Sequence, residues 1–101
     1  MQHHEINIRL IDGVGVRPDS MNALRVGDTV RYSSPDGKVR VAFDAATPYD
    51  VSRVGDSETR TLKQAGRFRF SCFITPTGST TEVGWSPGDP DAGGEHEVIP
   101  T

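Results

Sequence analysis

Hydrophobic and polar residues alternate along much of this chain, which is the pattern of β-strands that bury one face. In residues 5–10, for example, the apolar side chains stand at every second position. The same period of two recurs in further short segments, at residues 29–33, 38–43, 67–73 and 80–85, with weaker strands at 58–62 and 95–99. No segment shows a convincing helical period. The pattern therefore predicts an all-β fold of seven or eight short strands.

Glycine and proline mark the connections between these strands. Ser34-Pro35-Asp36-Gly37 is a strong turn signal, since proline presets φ and glycine accepts a positive φ. It predicts a hairpin between the strands on either side. Residues 44–56 are predicted to be a connection, and residues 86–94 (SPGDPDAGG) a flexible acidic loop. Strands at this spacing are typical of a Greek-key β-sandwich, here a single domain over residues 1–101.

Composition supports the all-β assignment and limits the classes of partner that are expected. Valine and isoleucine greatly outnumber leucine, and branching at Cβ suits a pleated sheet. Eleven basic and 14 acidic residues give a net charge of −3, which argues against nucleic acid as the partner. No apolar run reaches membrane-spanning length, so no membrane insertion is expected. A cytoplasmic location is expected if the sequence is complete, and a periplasmic or secreted one if it is a mature fragment.

Three segments, in this order along the chain, resemble the cupredoxins, the family of plastocyanin and azurin. Residues 26–30 (VGDTV) resemble the entry to a middle strand of that family. Residues 39–44 (VRVAFD) resemble the strand that carries its first copper ligand, a histidine. Residues 65–72 (AGRFRFSC) resemble the strand whose cysteine is the copper thiolate. The resemblance spans residues 6–99 and implies a cupredoxin-like Greek-key sandwich.

The copper ligands of that family are mostly missing here. A type 1 site needs two imidazoles, a thiolate and a weak axial group. Val39 stands at the first histidine position, residues 73–77 contain no histidine, and no methionine follows Met21. Only Cys72 matches. The resemblance therefore implies the fold without its copper, and no cofactor is expected.

Cys72 and His96 are the residues from which a different metal site would be built. The alternative hypothesis is an atypical metal-binding or electron-transfer protein that holds copper with these two side chains. The competing interpretation makes Cys72 a small buried hydrophobic residue packed with Phe68 and Phe70. His96 is then an exposed strand residue between two solvated glutamates.

Nothing in the sequence indicates catalysis. The serines lack a nucleophile-elbow context, and the few histidines lie at the two ends of the chain. The predicted function is therefore that of a non-catalytic binding or structural module that contacts an unknown protein partner. Phe73 is expected on the sheet face opposite Cys72. There it is either exposed among cations, which is typical of a binding patch, or covered by the second sheet or by residues 45–56. The predicted partner-binding residues are Phe73, Arg67 and Arg69, together with Thr75 and Thr77 in the loop at residues 74–79.

Overall fold

Ten strands, and no helix, make up the part of the chain that the computed structural model describes. That part comprises residues 1–11, 15–18, 23–85 and 95–100; for residues 11, 15–18 and 85 only the backbone is described. The all-β prediction is confirmed. In chain order the strands are β1 (His3–Ile11), β2 (Gly15–Pro18), β3 (Leu24–Arg25), β4 (Thr29–Ser33), β5 (Gly37–Phe43), β6 (Arg53–Gly55), β7 (Thr59–Thr61), β8 (Gly66–Pro76), β9 (Val83–Trp85) and β10 (Glu95–Ile99).

The strands form two sheets. The first has the order β2-β1-β4-β7, and the second has the order β3-β10-β8-β5-β6, with β9 also paired to β8. Two pairs are parallel, β1 with β4 and β3 with β10, and the remaining pairs are antiparallel. Strands that are distant in sequence therefore lie side by side in both sheets.

The long strand β8 organises the second sheet. Along one side it pairs with β5, from Gly37 opposite Pro76 to Phe43 opposite Phe70. Along its other side it pairs first with β10 and then with β9. Since side chains alternate along a strand, β8 sends one set into the core and presents the other on the outer face.

The apolar positions of the alternating segments form one core between the sheets. The predicted inward faces are confirmed: β1 buries Ile6 and Ile8, and β4 buries Val30 and Tyr32. The second sheet contributes its inward residues to the same cluster: Val39, Val41, Phe43, Val54, Phe68, Phe70, Cys72, Ile74 and Val98. Burial of these side chains is the main favourable contribution to folding.

The predicted hairpin between β4 and β5 is wrong. The two strands are joined by the predicted tight turn, but β4 belongs to the first sheet and β5 to the second. Asp36 in the turn contacts both: its Oδ2 accepts from Leu10 N at 2.9 Å, and its carbonyl accepts from Thr77 N at 3.1 Å. Alternation cannot distinguish a hairpin within one sheet from two strands in different sheets, because the strands bury every second side chain in both arrangements.

Two other predictions concern the connections. Residues 44–56 were expected to lack a strand, but they contain the short strand β6, where Val54 is fully buried opposite Val41. The predicted acidic loop at residues 86–94 lies outside the described residues.

Candidate functional site

The outer face of β8 carries most of the residues predicted to bind a partner. Strand alternation places Arg67, Arg69, Phe73 and Thr75 on this face, opposite the buried set that includes Cys72. Thr77 follows directly after the strand. The register adds two cations of β5 that sequence analysis did not select, since Lys38 pairs with Thr75, and Arg40 with Phe73. The face formed by β5, β6 and β8 is called the outer face below.

Phe73 is half-buried between its two cross-strand neighbours. Its ring covers Gly84 of β9, where a Cβ atom would collide with it. On the other side the Arg40 guanidinium lies 4.1 Å from the ring centroid, a cation–π contact. Arg40 also donates two hydrogen bonds to Glu82, at 2.8 and 3.1 Å, which lower the pKa of that carboxyl. A partner would therefore meet a fixed cation and the accessible part of the ring.

Cations on the outer face differ in whether they are neutralised. Arg67 lies 3.4 Å from Glu97 and 3.7 Å from Glu95. Lys38, Arg53 and Arg69 are exposed, and none of the three has an ion pair within the described part of the chain. The register places Arg53 on the same face, because it pairs with Ala42, which in turn pairs with Ser71.

A cleft of about 490 Å³ opens at one end of the outer face, where the β4–β5 turn meets the loop after β8. Two of the predicted partner-binding residues, Thr75 and Thr77, line it. Lys38 belongs to both the cleft and the outer face. The full lining is Ser34, Pro35, Gly37, Lys38, Thr75, Pro76, Thr77, Gly78 and Ser79. The loop at 74–79 thus joins the β4–β5 turn in forming a concave surface.

The Cys72 thiol lies in the core and has no exposed surface. It occupies the middle of β8, where its neighbours are Val41 on one side and Trp85 on the other. Burial raises the pKa of this thiol to about 12, so at neutral pH the sulfur is protonated. The geometry matches the interpretation of Cys72 as a small buried hydrophobic residue, and a neutral thiol is a poor metal ligand and a poor nucleophile.

His96 is buried, so the expectation that it would be an exposed strand residue is wrong. Only 1% of its surface is accessible, whereas Glu95 and Glu97 on either side are exposed. The signal was present in the alternation: His96 and Val98 share one face of β10, and the two glutamates share the other. A histidine in an apolar register predicts a buried ring.

A chain of three polar groups crosses this part of the core. Tyr49 Oη lies 2.7 Å from Tyr32 Oη, which lies 2.7 Å from His96 Nε2. The Phe70 ring stacks on the imidazole at a centroid distance of 4.6 Å. Burial lowers the pKa of His96 to about 3, so the ring is neutral at physiological pH. Its Nδ1 is buried without a hydrogen-bond partner among the described residues.

These contacts bear on the hypothesis of a metal site built from Cys72 and His96. The Nε2 atom of His96 is already engaged by a tyrosine hydroxyl, and the Cys72 sulfur is a thiol. Within the described residues, no group of three or more His, Cys, Asp or Glu side chains is arranged to hold a metal ion. The structure thus brings no third ligand to this pair.

Three side chains on the outside of the first sheet, Thr29, His3 and Glu5, form a hydrogen-bonded series that the sequence did not reveal. Thr29 Oγ1 is 2.7 Å from His3 Nδ1, and His3 Nε2 is 2.8 Å from Glu5 Oε1. These are the residue types of a nucleophile, a base and an orienting acid. The series is open to water, however, with the His3 and Glu5 side chains 43% exposed. Acyl transfer would also need oxyanion donors and an enclosed substrate site.

The start of the chain is held by a second polar contact. The Asp28 carboxylate is buried and accepts hydrogen bonds from His4 Nε2 at 2.8 Å and from Gln2 N at 2.9 Å. Arg25 N donates a longer bond of 3.3 Å. The bond from His4, followed by the one from Gln2, lowers the pKa of Asp28. This cluster ties β1 to the turn before β4, and its role is structural.

Comparison with known proteins does not identify a relative. No protein-family model matches the chain, no curated protein is significantly similar to it, and no solved structure matches it. Within the described residues, no helix has the length and apolar character needed to cross a membrane. Function therefore has to be inferred from the outer face and the cleft themselves.

Proposed function

We propose that this chain is a non-catalytic binding module, built on a cupredoxin-like Greek-key sandwich that has lost its type 1 copper ligands. Its outer face docks an acidic segment of a partner protein. The single observation that carries the proposal is the set of three exposed cations on one face that have no ion pair with a described residue, in a chain whose net charge is −3.

The strand order supports the Greek-key part of this proposal. Successive described strands lie in different sheets at five places, after β2, β3, β4, β6 and β7. Such crossings are expected of a Greek-key sandwich and not of a simple meander of hairpins. The segments that resemble cupredoxins lie on β4, β5 and β8.

Charge placement supports an acidic occupant. Arg31 and Arg60, which belong to the first sheet, both have acidic partners within 4 Å. On the outer face, Lys38, Arg53 and Arg69 have no such partner in the described part of the chain, and Arg40 is fixed over an aromatic ring. Complementary charge accelerates docking and excludes wrong partners. An extended acidic segment would satisfy these cations without the desolvation of a large apolar surface.

The proposal is tested with a fluorescein-labelled oligoglutamate peptide and fluorescence anisotropy at low and at physiological salt. Arg53→Glu and Arg69→Glu are each expected to weaken binding about tenfold, equivalent to about 1.4 kcal/mol. Lys63→Glu is the matched control, because Lys63 is an exposed cation in the connection between β7 and β8 and has no ion pair with a described residue. It should leave the affinity within about twofold of the original value.

Two results would overturn the proposal. If Lys63→Glu weakens binding as much as Arg69→Glu does, the attraction is general and does not belong to the outer face. If single-stranded DNA of equal charge binds more tightly than the peptide, the surface is a nucleic-acid site and the acidic protein segment is the wrong occupant.

A further inference from the structure

More than half of the described residues that line the cleft at the end of the outer face carry hydrogen-bond donors in their side chains, and none of them carries a carboxylate. Four hydroxyl side chains and one ammonium group line it, from Ser34, Thr75, Thr77, Ser79 and Lys38. We propose that this cleft binds a phosphate monoester, carried by the acidic partner segment or by a free small molecule. This inference deepens the proposed binding function and rests on it, because Lys38 and Thr75 belong to both surfaces.

The hydroxyl oxygens of the two serines each accept a hydrogen bond from the backbone. Ser34 Oγ accepts a hydrogen bond from Asp36 N at 3.0 Å, and Ser79 Oγ accepts one from Thr81 N at 3.1 Å. Because a backbone N–H already occupies a lone pair of each oxygen, the hydroxyl protons remain available for an acceptor outside the protein. The two serines therefore lie ready to bind an oxyanion.

The threonines add further donors. Thr75 makes no side-chain hydrogen bond within the described residues. Thr77 Oγ1 has only a long contact of 3.5 Å, to the carbonyl of Asp36. A bond of that length is weak, so this hydroxyl can turn to a better acceptor at little cost.

The carboxylate of Asp36, in the turn beside the cleft, is engaged by the first sheet. The Oδ2 atom of Asp36 accepts from Leu10 N at 2.9 Å, which ties this carboxylate to β1 of the first sheet. Lys38 is exposed and has no ion pair with a described residue. The cleft therefore keeps an uncompensated positive charge beside its hydroxyl groups.

A phosphate monoester fits this set of donors better than a carboxylate does. It carries about −1.5 to −2 charges at neutral pH and three strong acceptor oxygens, which several donors can share. Lysine binds phosphate as a compact charge with three N–H donors. The volume of about 490 Å³ accommodates such a group with the atoms that carry it. Pro35 and Pro76 stiffen the walls, which reduces the ordering cost on binding.

The test compares three probes by isothermal titration calorimetry and by backbone-amide NMR shifts. The probes are an acidic peptide with one phosphoserine, the same peptide with glutamate at that position, and O-phosphoserine alone. We expect the phosphopeptide to bind at least about tenfold more tightly than the glutamate peptide. The largest shifts should fall in residues 34–38 and 75–79.

Substitutions in the cleft test whether the preference for the phosphopeptide over the glutamate peptide depends on the residues that line it. Lys38→Met should remove most of the tenfold preference for phosphate, and Thr77→Val should weaken phosphopeptide binding about threefold. Lys63→Met removes the same type of charge outside the cleft and should change neither value. Thermal unfolding of each variant identifies any that fail to fold, and in that case Lys38→Gln replaces Lys38→Met.

The outcomes separate this inference from the proposed function. If O-phosphoserine alone binds as tightly as the phosphopeptide, the ligand is a free phosphorylated molecule; a much tighter phosphopeptide indicates a phosphorylated partner. Equal binding of the phosphopeptide and the glutamate peptide, without shifts in the cleft, overturns the phosphate site and leaves the acidic docking face standing. If neither peptide binds, the docking face is overturned. If O-phosphoserine does not bind either, the phosphate site is overturned together with the docking face.

Discussion

Two histidines near opposite ends of the chain, His4 and His96, are largely shielded from water but have different partners. His4 donates to the carboxylate of Asp28, which also accepts two backbone N–H groups. His96 lies between aromatic rings and is hydrogen-bonded through Nε2 to the Tyr32 hydroxyl, and its Nδ1 has no partner among the described residues. Among the described residues, His4 therefore has a charged partner, whereas His96 contacts only neutral groups.

His96 shows what burial without a charged partner does to a histidine: burial disfavours the protonated ring and lowers its pKa to about 3. At the first site a protonated imidazole would face a carboxylate. At the second, a proton on Nδ1 would create an unpaired charge in the core, because the groups that face His96 are Tyr32 on β4, Phe43 on β5 and Phe70 on β8. Acid should consequently act on the fold through His96 before it acts through Asp28.

The largest expected effect is a loss of stability below pH 6.5. The pKa of His96 falls from 6.5 to about 3 on folding, so the unfolded chain binds a proton that the native chain excludes. The contribution of His96 to the free energy of unfolding is fully present above pH 6.5. Below that pH the free energy of unfolding decreases by about 1.4 kcal/mol per pH unit, down to about pH 3, so the loss at about pH 4.5 is about 3 kcal/mol. Urea denaturation over this pH range measures the slope.

Two variants show whether this slope belongs to His96. His96→Leu should flatten the dependence between about pH 6.5 and 5, whatever its effect on stability at neutral pH. Tyr49→Phe, which leaves His96 in place, should retain the slope. An undiminished slope in His96→Leu would show that some other group titrates in this range.

The polar chain beside His96 predicts unequal costs for its two tyrosines. Tyr32→Phe removes the central hydroxyl and leaves both Tyr49 Oη and His96 Nε2 without their partner, which should cost about 2 kcal/mol. Tyr49→Phe removes only the end of the chain and should cost about 1 kcal/mol. Urea denaturation at neutral pH distinguishes them, and a larger cost for Tyr49→Phe would contradict the assigned order of the chain.

The contact at His4 is tested through its acceptor. Asp28→Ala removes the partner of two backbone N–H groups and of the imidazole, and should lower the melting temperature by about 5 °C. The lowered pKa of Asp28 means that its contribution is present above its ordinary pKa of 3.8 and is lost as the pH falls below that value. Asp44→Ala, which truncates an exposed carboxylate, should leave the melting temperature nearly unchanged; equal shifts for both variants would show that Asp28 has no special role.

A further small effect is expected at Cys72, which shares the core with His96. Cys72→Ser replaces a buried thiol by a more polar hydroxyl and should cost about 1 kcal/mol. The native thiol should react slowly with thiol reagents, because it is buried and its pKa is raised to about 12. A stability change within experimental error, together with fast labelling, would show that Cys72 is accessible.

Much of the local structure could be predicted from the sequence, whereas the site was only partly predictable. Alternation in β8 correctly placed Phe73 on the face opposite Cys72, since this depends only on the backbone geometry of one strand. It could not show that Arg40 and Gly84 enclose the Phe73 ring, because these neighbours come from two other strands. The cleft was equally hidden, since the β4–β5 turn and the loop after β8 meet only in the folded chain.

The sequence by itself determined most of the longer strands and which of their apolar side chains are buried, because a period of two is a property of the local backbone and of apolar side chains that avoid water. It missed the short strand β6 and the buried ring of His96. Only the tertiary structure decided that β4 and β5 lie in different sheets, and that His96 meets Tyr32 from 64 residues away. Pairing, enclosure and the match of one polar group to another depend on distant segments arriving together, and these long-range contacts leave no periodic signal in the chain.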